Sequence, residues 1–232
     1  MLGLVTVATL AGACSKKEGK AFPNLDTWQG TARLDLESGG AVGPVMLAKR
    51  GDVVRFEAPQ HPQVFGSYGG AGARHFLFDA KARTLTLVID EAKQALDYDL
   101  AALEGLAAKA APAPFQLAET GRTDRIAGHA CDVWTGAGEG TSVEACVVKQ
   151  HSSALVLGAA FLPAGASWAK PLLDGEHVPL SVIVKEGDAI TFRAQLTALD
   201  ETIPSVAVEV PRDFQRDNFL DALKRVRAKQ AR

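Results

Sequence analysis

The chain has 232 residues, of which 47% are hydrophobic and 22% are charged, and its formal net charge is −2. This length supports one sizeable core or at most two small ones. The near-neutral balance excludes the clustered basic face that nucleic-acid binding requires, so we predict no nucleic-acid partner. No apolar run approaches the ~18 residues that a membrane-spanning helix needs, so we predict no spanning segment after processing.

The first thirteen residues, Met1 to Ala13, carry no charge and are almost all apolar or small. Such a run predicts a cleaved signal peptide over residues 1–13. Ala11, Gly12 and Ala13 before Cys14 resemble the lipobox of bacterial lipoproteins, although that pattern has leucine where this chain has Ala11. The resemblance implies lipid attachment at Cys14, whose thiolate is the nucleophile. The alternative is a buried N-terminal helix with a chance cysteine.

Residues 14–27 are polar and lysine-rich at their start, which predicts a short solvated tether behind the lipid. In the lipoprotein family a serine after the cysteine, here Ser15, is compatible with export to the outer membrane. The leader and tether therefore predict an envelope lipoprotein that faces the periplasm and is anchored in the outer membrane by its acyl chains.

Strand patterns dominate the rest of the chain. Alternating residues predict a half-buried strand at 31–36, and apolar runs with turn residues between them predict hairpins at 49–52, 79–83 and 186–188. Residues 189–198 alternate most clearly, and residues 204–211 predict a last strand. Helical composition is predicted at Leu100–Ala110 and in short pieces within Ser152–Leu173, and residues 215–232 predict a basic amphipathic helix. Its apolar side would carry Phe219, Leu220, Leu223 and Val226.

The two remaining cysteines flank a glycine-rich loop. Two alternating runs, 126–134 and 141–148, predict a hairpin about this loop. Folding at the Gly138–Glu139 midpoint would place Cys131 opposite Cys146 and Trp134 opposite Val143. An exported chain folds in an oxidising space, so a structural disulfide between Cys131 and Cys146 is predicted rather than a metal site.

Several segments in order, "GDVVRFE", "HFLFDAKARTLTLVID", "TGRTDRIAGHACDVW", "VPLSV" and "PSVAVEVPRDF", resemble an uncharacterised family of exported bacterial proteins. That family is similar in fold to the outer-membrane lipoprotein carriers LolA and LolB. The resemblance covers residues 28–214. It implies a mainly β, α+β domain: a strongly curved antiparallel half-barrel with helices over the concave face. The lid candidates are Leu100–Ala110 and Ser152–Leu173.

Catalytic patterns are weak. The five histidines (61, 75, 129, 151 and 177) lack metal-ligand spacing, and "SWAK" at Ser167–Lys170 lacks the partner motifs of serine acyl-enzymes. We therefore predict a protein that is not an enzyme and that holds no metal and no cofactor.

Two functional hypotheses remain open. In the first, the concave sheet face binds a lipid, a lipoprotein acyl chain or another hydrophobic ligand. The predicted cavity residues are Phe192, Leu196, Leu155, Leu157 and Phe161. In the second, the domain fills its own core and acts as a protein-interaction or structural module of the envelope.

Overall fold

The computed structural model describes residues 20–61, 74–100, 115–138, 140–152, 166–203, 205–219 and 221–222. Among these residues, no helix has the length and hydrophobicity to cross a bilayer. The predicted leader, Cys14 and the start of the tether lie outside the described residues. What is described is dominated by a single β-sheet.

Twelve strands form this sheet. They are β1 (Gly30–Ser38), β2 (Ala41–Arg50), β3 (Val53–Glu57), β4 (Arg74–Asp79), β5 (Thr84–Ile89), β6 (Gln94–Asp99), β7 (Ala118–Ile126), β8 (His129–Gly138), β9 (Thr141–Lys149), β10 (His177–Glu186), β11 (Ala189–Asp200) and β12 (Gln215–Asn218). A 3-10 helix covers Ser167–Leu172.

The strand order is β12-β6-β5-β4-β3-β2-β1-β11-β10-β9-β8-β7. Every neighbouring pair is antiparallel except β12 and β6, which run parallel. In the described part of the chain β7 and β12 are the two edges and do not pair with each other, so the sheet is open and curved. The predicted mainly β, antiparallel-dominated architecture is confirmed.

The predicted hairpin turns are present because the sequence supplies turn residues between β-forming runs. β2 turns into β3 at Gly51–Asp52, and Gly51 has φ +59. The turns at 80–83 and 187–188 also agree with the sequence prediction. β1 and β2 are joined by Gly39 and Gly40, both with positive φ, as a two-residue hairpin with the twist of its strands requires.

One face of the sheet is apolar across nearly its whole width. Apolar residues on this face follow one another in register across the strands from β6 to β8. In that order they are Leu96, Leu87, Phe76, Phe56, Leu47, Val45, Leu34, Leu196, Ala194, Val182, Ala145 and Trp134. On the opposite face, β1 to β3 carry mainly polar and charged residues, such as Arg33, Asp35 and Arg55. Much of the hydrophobic core therefore lies on the apolar face, while Leu77, Val88, Ala95 and the paired Val133 and Cys146 are buried on the opposite face.

Residues 205–211 form no strand, which corrects the prediction of a last strand over 204–211. Arg55 Nη1 on β3 donates to the Ala207 carbonyl at 2.9 Å, and Val208 is buried. Further on, Lys93 Nζ contacts Asp213 Oδ2 at 2.7 Å. The segment thus passes over the opposite face from β3 to the β5–β6 turn, where no strand edge is open for pairing.

The predicted helix over 215–232 is wrong at its start, because Gln215–Asn218 form β12 beside β6. Gln215 N donates to the Lys93 carbonyl, and the Arg216 guanidinium donates to both carboxylate oxygens of Asp97 at 2.9 and 3.1 Å. Helical conformation begins at Phe219, whose ring stacks on Tyr98 with centroids 4.0 Å apart. Leu220, Leu223 and Val226 lie outside the described residues.

The end of the predicted tether is packed on the domain. Phe22 contacts the His129 ring edge-on, Leu25 packs against a buried cluster, and the Gln150 side chain donates to the Pro23 carbonyl. Lys49 Nζ donates to the carbonyls of Asp26 and Trp28. The apolar side chains of Phe22 and Leu25 are therefore packed against the sheet.

The predicted lid lies largely outside the described residues. Its described parts are Leu100, which is fully buried against Phe78 and Leu85, and the 3-10 helix at the end of the second candidate. The described residues therefore do not support the predicted helices over the concave face and show only apolar packing at these two positions.

Candidate functional site

The β8–β9 hairpin carries the predicted disulfide between Cys131 and Cys146, with a Cα–Cα distance of 5.4 Å. The predicted register is wrong by two residues: Val133, not Cys131, lies opposite Cys146, and Trp134 lies opposite Ala145. The bond is therefore diagonal across the pair. Part of the first predicted run belongs elsewhere, because Ile126 ends β7 and the chain turns at Ala127–Gly128 before β8.

Beside the hairpin the apolar face has a closely packed aliphatic floor. Its members are between 0 and 6% exposed: Val143, Ala145, Val147, Leu172, Val182 and Val184. Val143 pairs with Val184, and Ala145 pairs with Val182, so β9 and β10 supply most of the floor side by side. The floor is shielded from water.

Five partly buried apolar side chains pack against this floor: Phe115, Leu117, Trp134, Trp168 and Phe192. We call the four rings, Phe115, Trp134, Trp168 and Phe192, the aromatic cluster. Trp168 and Phe192 have centroids 5.0 Å apart, and Trp134 meets the His177 ring at 4.7 Å. Large rings that are only partly buried above a buried floor are typical of an apolar binding surface.

Local sequence places these rings. The 3-10 helix holds Trp168 over the sheet because Ala169 and Leu172 are buried against it, and Pro171 lies within this short helix. Gly136 lets residues 115–117 cross β8 closely: a Cβ at Gly136 would lie 2.3 Å from the Gln116 carbonyl oxygen. A larger residue at 136 would push Phe115 off the cluster.

The polar edge of the cluster is formed by Trp134 and His177. Trp134 Nε1 is buried and has no hydrogen-bond acceptor among the described residues. His177 Nδ1 lies 2.7 Å from Asp174 Oδ2, which orients the imidazole beside the indole. An unsatisfied buried donor is costly, so this edge favours a group that brings an acceptor oxygen.

Of the predicted cavity residues, Phe192 lies in the aromatic cluster. Leu196 is buried in a different cluster with the disulfide and Trp28, so the structure does not bring these two residues into one site. Leu155, Leu157 and Phe161 lie outside the described residues. The sequence analysis did not identify Trp134, Trp168 and Phe115 as site residues. The feature that could have identified them is that each is an aromatic residue near a glycine-rich or proline-containing segment.

A second apolar cluster covers the β4–β6 end of the same face. Phe219 packs with Val45, Leu87, Ile89 and Leu96, all of which are buried. Here the covering ring itself is only 9% exposed. This end is filled by the chain's own side chains, in contrast to the aromatic cluster.

The described histidines occupy separate structural positions. His129 is buried beside the Lys20 carbonyl, and His151 meets the Asp26 carboxylate, which raises the pKa of His151. His75 is buried on the opposite face, where burial and then the Arg55 guanidinium lower its pKa. Among the described residues, no group of three or more His, Cys, Asp and Glu side chains is arranged to hold a metal ion.

Ser167 and Lys170 both lie in the 3-10 helix, with Pro171 directly after Lys170. The Lys170 side chain is exposed.

Comparisons with known proteins give structural neighbours only. No known protein family matches the sequence, and no curated protein is similar to it. The chain is similar in structure to MucB in its complex with MucA from Pseudomonas aeruginosa (TM-score 0.45, 14% identity, 82% of this chain and 58% of that chain). It is similar to MucB alone (TM-score 0.42, 14% identity, 82% and 60%) and to PNGF-II (TM-score 0.43, 9% identity, 85% and 32%). The chain thus spans less than two thirds of each neighbour.

Proposed function

We propose that this protein is a lipid-anchored envelope protein, facing the periplasm and held in the outer membrane through Cys14, that binds a hydrophobic ligand without catalysing a reaction. The ligand class is an acyl chain with an oxygen-bearing end. It would lie on the aromatic cluster, with its chain along the floor of β9 and β10.

The partial burial of the aromatic cluster is the observation that carries the proposal. A floor that is at most 6% exposed excludes water, and the rings above it remain in reach of a ligand. Burying apolar surface contributes about 25 cal/mol per Å², so a few methylene groups laid against Trp168 and Phe192 supply useful affinity. Trp134 Nε1 supplies a donor for a carboxylate or ester oxygen at the cluster's polar edge.

The test uses the domain exported to the periplasm by an ordinary cleavable signal peptide, with Cys14 omitted. Native mass spectrometry of the purified protein should detect a co-purifying lipid. Titration with a fatty acid should change tryptophan emission in a saturable way. Trp168→Ala should weaken this binding about tenfold or more, because it removes part of the apolar contact, worth about 1.5 kcal/mol or more.

Trp28→Phe is the matched control. Trp28 is a buried tryptophan in the cluster around the disulfide, away from the aromatic cluster, and should leave affinity unchanged. Lipid-free protein that shows no saturable response to fatty acid, while its circular dichroism is that of a folded domain, would contradict the proposed ligand.

A second candidate function is protein interaction in the envelope. The face of β2 opposite the apolar face favours it. Val42 is 65% exposed and Met46 is 38% exposed there, four residues apart on the same face of one strand. Clean, folded protein in the ligand test supports this function over the first.

A further inference from the structure

The chain enters the domain next to the loop that leaves β11. Lys20 Nζ donates to Glu201 Oε1 at 2.6 Å, and His129 Nδ1 lies 3.1 Å from the Lys20 carbonyl. The side chain and the backbone of Lys20 are therefore both attached to the domain. The exit point of the predicted tether is fixed beside residue 201.

Lys20 follows Cys14 by six positions. Six residues, even fully extended, span at most about 20 Å. Lipidation at Cys14 would therefore hold Glu201 and its neighbours within about that distance of the bilayer surface.

The loop beyond Glu201 is held at both ends. Thr202 N donates to Asp200 Oδ1 at 2.8 Å, and Arg55 Nη1 donates to the Ala207 carbonyl at 2.9 Å. Between these contacts Ile203 is 63% exposed and Val206 is 43% exposed. The fold thus presents two apolar side chains to the outside at a fixed place.

Exposed large apolar residues are few in the described part of the chain. They are Val42, Met46, Ile203 and Val206, so half of them lie in this loop beside the tether. Val42 lies near the far end of the β1–β2 hairpin, where it pairs with Glu37, whereas the β11 end that precedes Ile203 pairs with Thr31. These two ends of β1 are about 20 Å apart along the strand.

We propose that residues 201–203 and 205–207 form the membrane-facing surface of the domain, with Ile203 and Val206 in contact with the bilayer that holds the acyl anchor. This rests on the proposed anchor at Cys14. The Lys20–Glu201 pair neutralises the carboxylate at this surface. Residues 15–20 carry three lysines and one glutamate, a balance that suits anionic headgroups. An isoleucine and a valine add apolar contact area at the interface.

The experiment uses the acylated full protein reconstituted in vesicles of phosphatidylethanolamine with a minority of phosphatidylglycerol. An environment-sensitive fluorophore is attached through Ile203→Cys or Val206→Cys. The introduced thiol is the available one, since Cys131 and Cys146 are bonded to each other. Emission should shift to the blue at both positions, and a lipid-borne quencher should reduce it. Val42→Cys, with nearly the same exposure of 65%, is the matched control and should show neither effect.

Flotation with the vesicles tests the acyl anchor at Cys14 separately from the membrane-facing loop. Protein that floats but gives no blue shift at 203 and 206 overturns the membrane-facing loop and leaves the anchor intact. Protein that does not float overturns the anchor and the loop together, while the ligand test at the aromatic cluster is decided independently. An equal shift at Val42→Cys, or a shift at 203 only after another protein is added, also overturns the proposal. A form with Cys14→Ala should not float.

Discussion

Two strands of the same sheet, β5 and β7, show opposite environments. In β5, "TLTLVI", five of six residues are buried, on both faces of the sheet. In β7, "AETGRTDRI", eight of nine residues are exposed. The difference arises because β5 has a strand on each side and cover on each face, whereas β7 is an edge.

The two ends of the sheet are protected in different ways. β12 pairs beside β6, and Phe219 then folds onto the apolar face, so the C-terminal segment covers the β4–β6 end. At the other end β7 stays open but carries charges and an irregular register between Glu119 and Thr123, with Gly121 at φ +73. Charged side chains and bulges discourage pairing with another chain.

Replacing a core residue of β5 should give the largest loss of stability. Leu87 is fully buried on the apolar face between Phe76 and Leu96. Leu87→Ala should lower the free energy of unfolding by about 2–5 kcal/mol, because it removes buried methyl groups and leaves a cavity. Thr123→Ala on exposed β7 is the matched control and should change it by less than about 0.5 kcal/mol. Urea unfolding measures both; similar losses in the two variants would show that β5 is not the better-packed strand.

Removing the disulfide should have the next largest effect. The bond closes a loop with a sequence separation of 15 residues, for which the chain-entropy model gives about 3 kcal/mol. The double variant Cys131→Ala, Cys146→Ala should lose about this much stability in chemical denaturation. In this model the bond constrains the unfolded chain, so hydrogen exchange through global unfolding should rise alike in β9 and β5. A rise confined to β9 would show instead that the bond acts mainly by holding the folded hairpin together.

The smallest expected effect is the loss of folding stability at acid pH that His75 causes. Burial and Arg55 lower the pKa of His75, with Asp90 and Glu57 acting in the opposite direction. The unfolded chain, with a histidine pKa near 6.5, therefore binds a proton more readily than the folded chain as the pH falls. Stability from His75 is present above about pH 6.5 and is lost below it.

Thermal unfolding between pH 7.5 and pH 5 checks this sign. His75→Gln should lose less stability on acidification than the parent protein. His151 gives the control with the opposite sign, since Asp26 raises its pKa and its contribution is present at acid pH and lost as the pH rises through its folded pKa. His151→Gln should therefore lose slightly more stability on acidification. If stability fell equally with pH in the parent protein and in both variants, the pH dependence could not be assigned to His75 and His151.

The hairpins could be predicted because their determinants are local. Turn residues such as Gly51 and Gly187, each with positive φ, stand between runs of β-forming residues, and the pairing of neighbouring strands follows. The disulfide could be predicted for a similar reason, since both cysteines lie in one hairpin. Its register could not, because residues 136–140 allow more than one turn and the pairing of Trp134 with Ala145 depends on packing against β10.

The aromatic cluster could be predicted only in part. Phe192 stood out through the alternation of β11, but Trp134, Trp168 and Phe115 come from three separate segments. Their meeting depends on the long-range order β8-β9-β10-β11, to which no local pattern points. Leu196 shares a face with Phe192, yet the irregular pairing of β11 with β1 near Leu196 leaves it in another cluster.

The amino-acid pattern alone determined a β-rich chain of hairpins with a cross-linked pair of cysteines, because turn chemistry and alternation act over a few residues. Only the tertiary structure decided that Gln215–Asn218 is a strand and that residues 205–211 are not. Strand pairing requires an open edge: β6 offers one to Gln215–Asn218, and the face that residues 205–211 cross offers none. The folded sheet also fixed Lys20 beside Glu201 and so set which surface adjoins the tether.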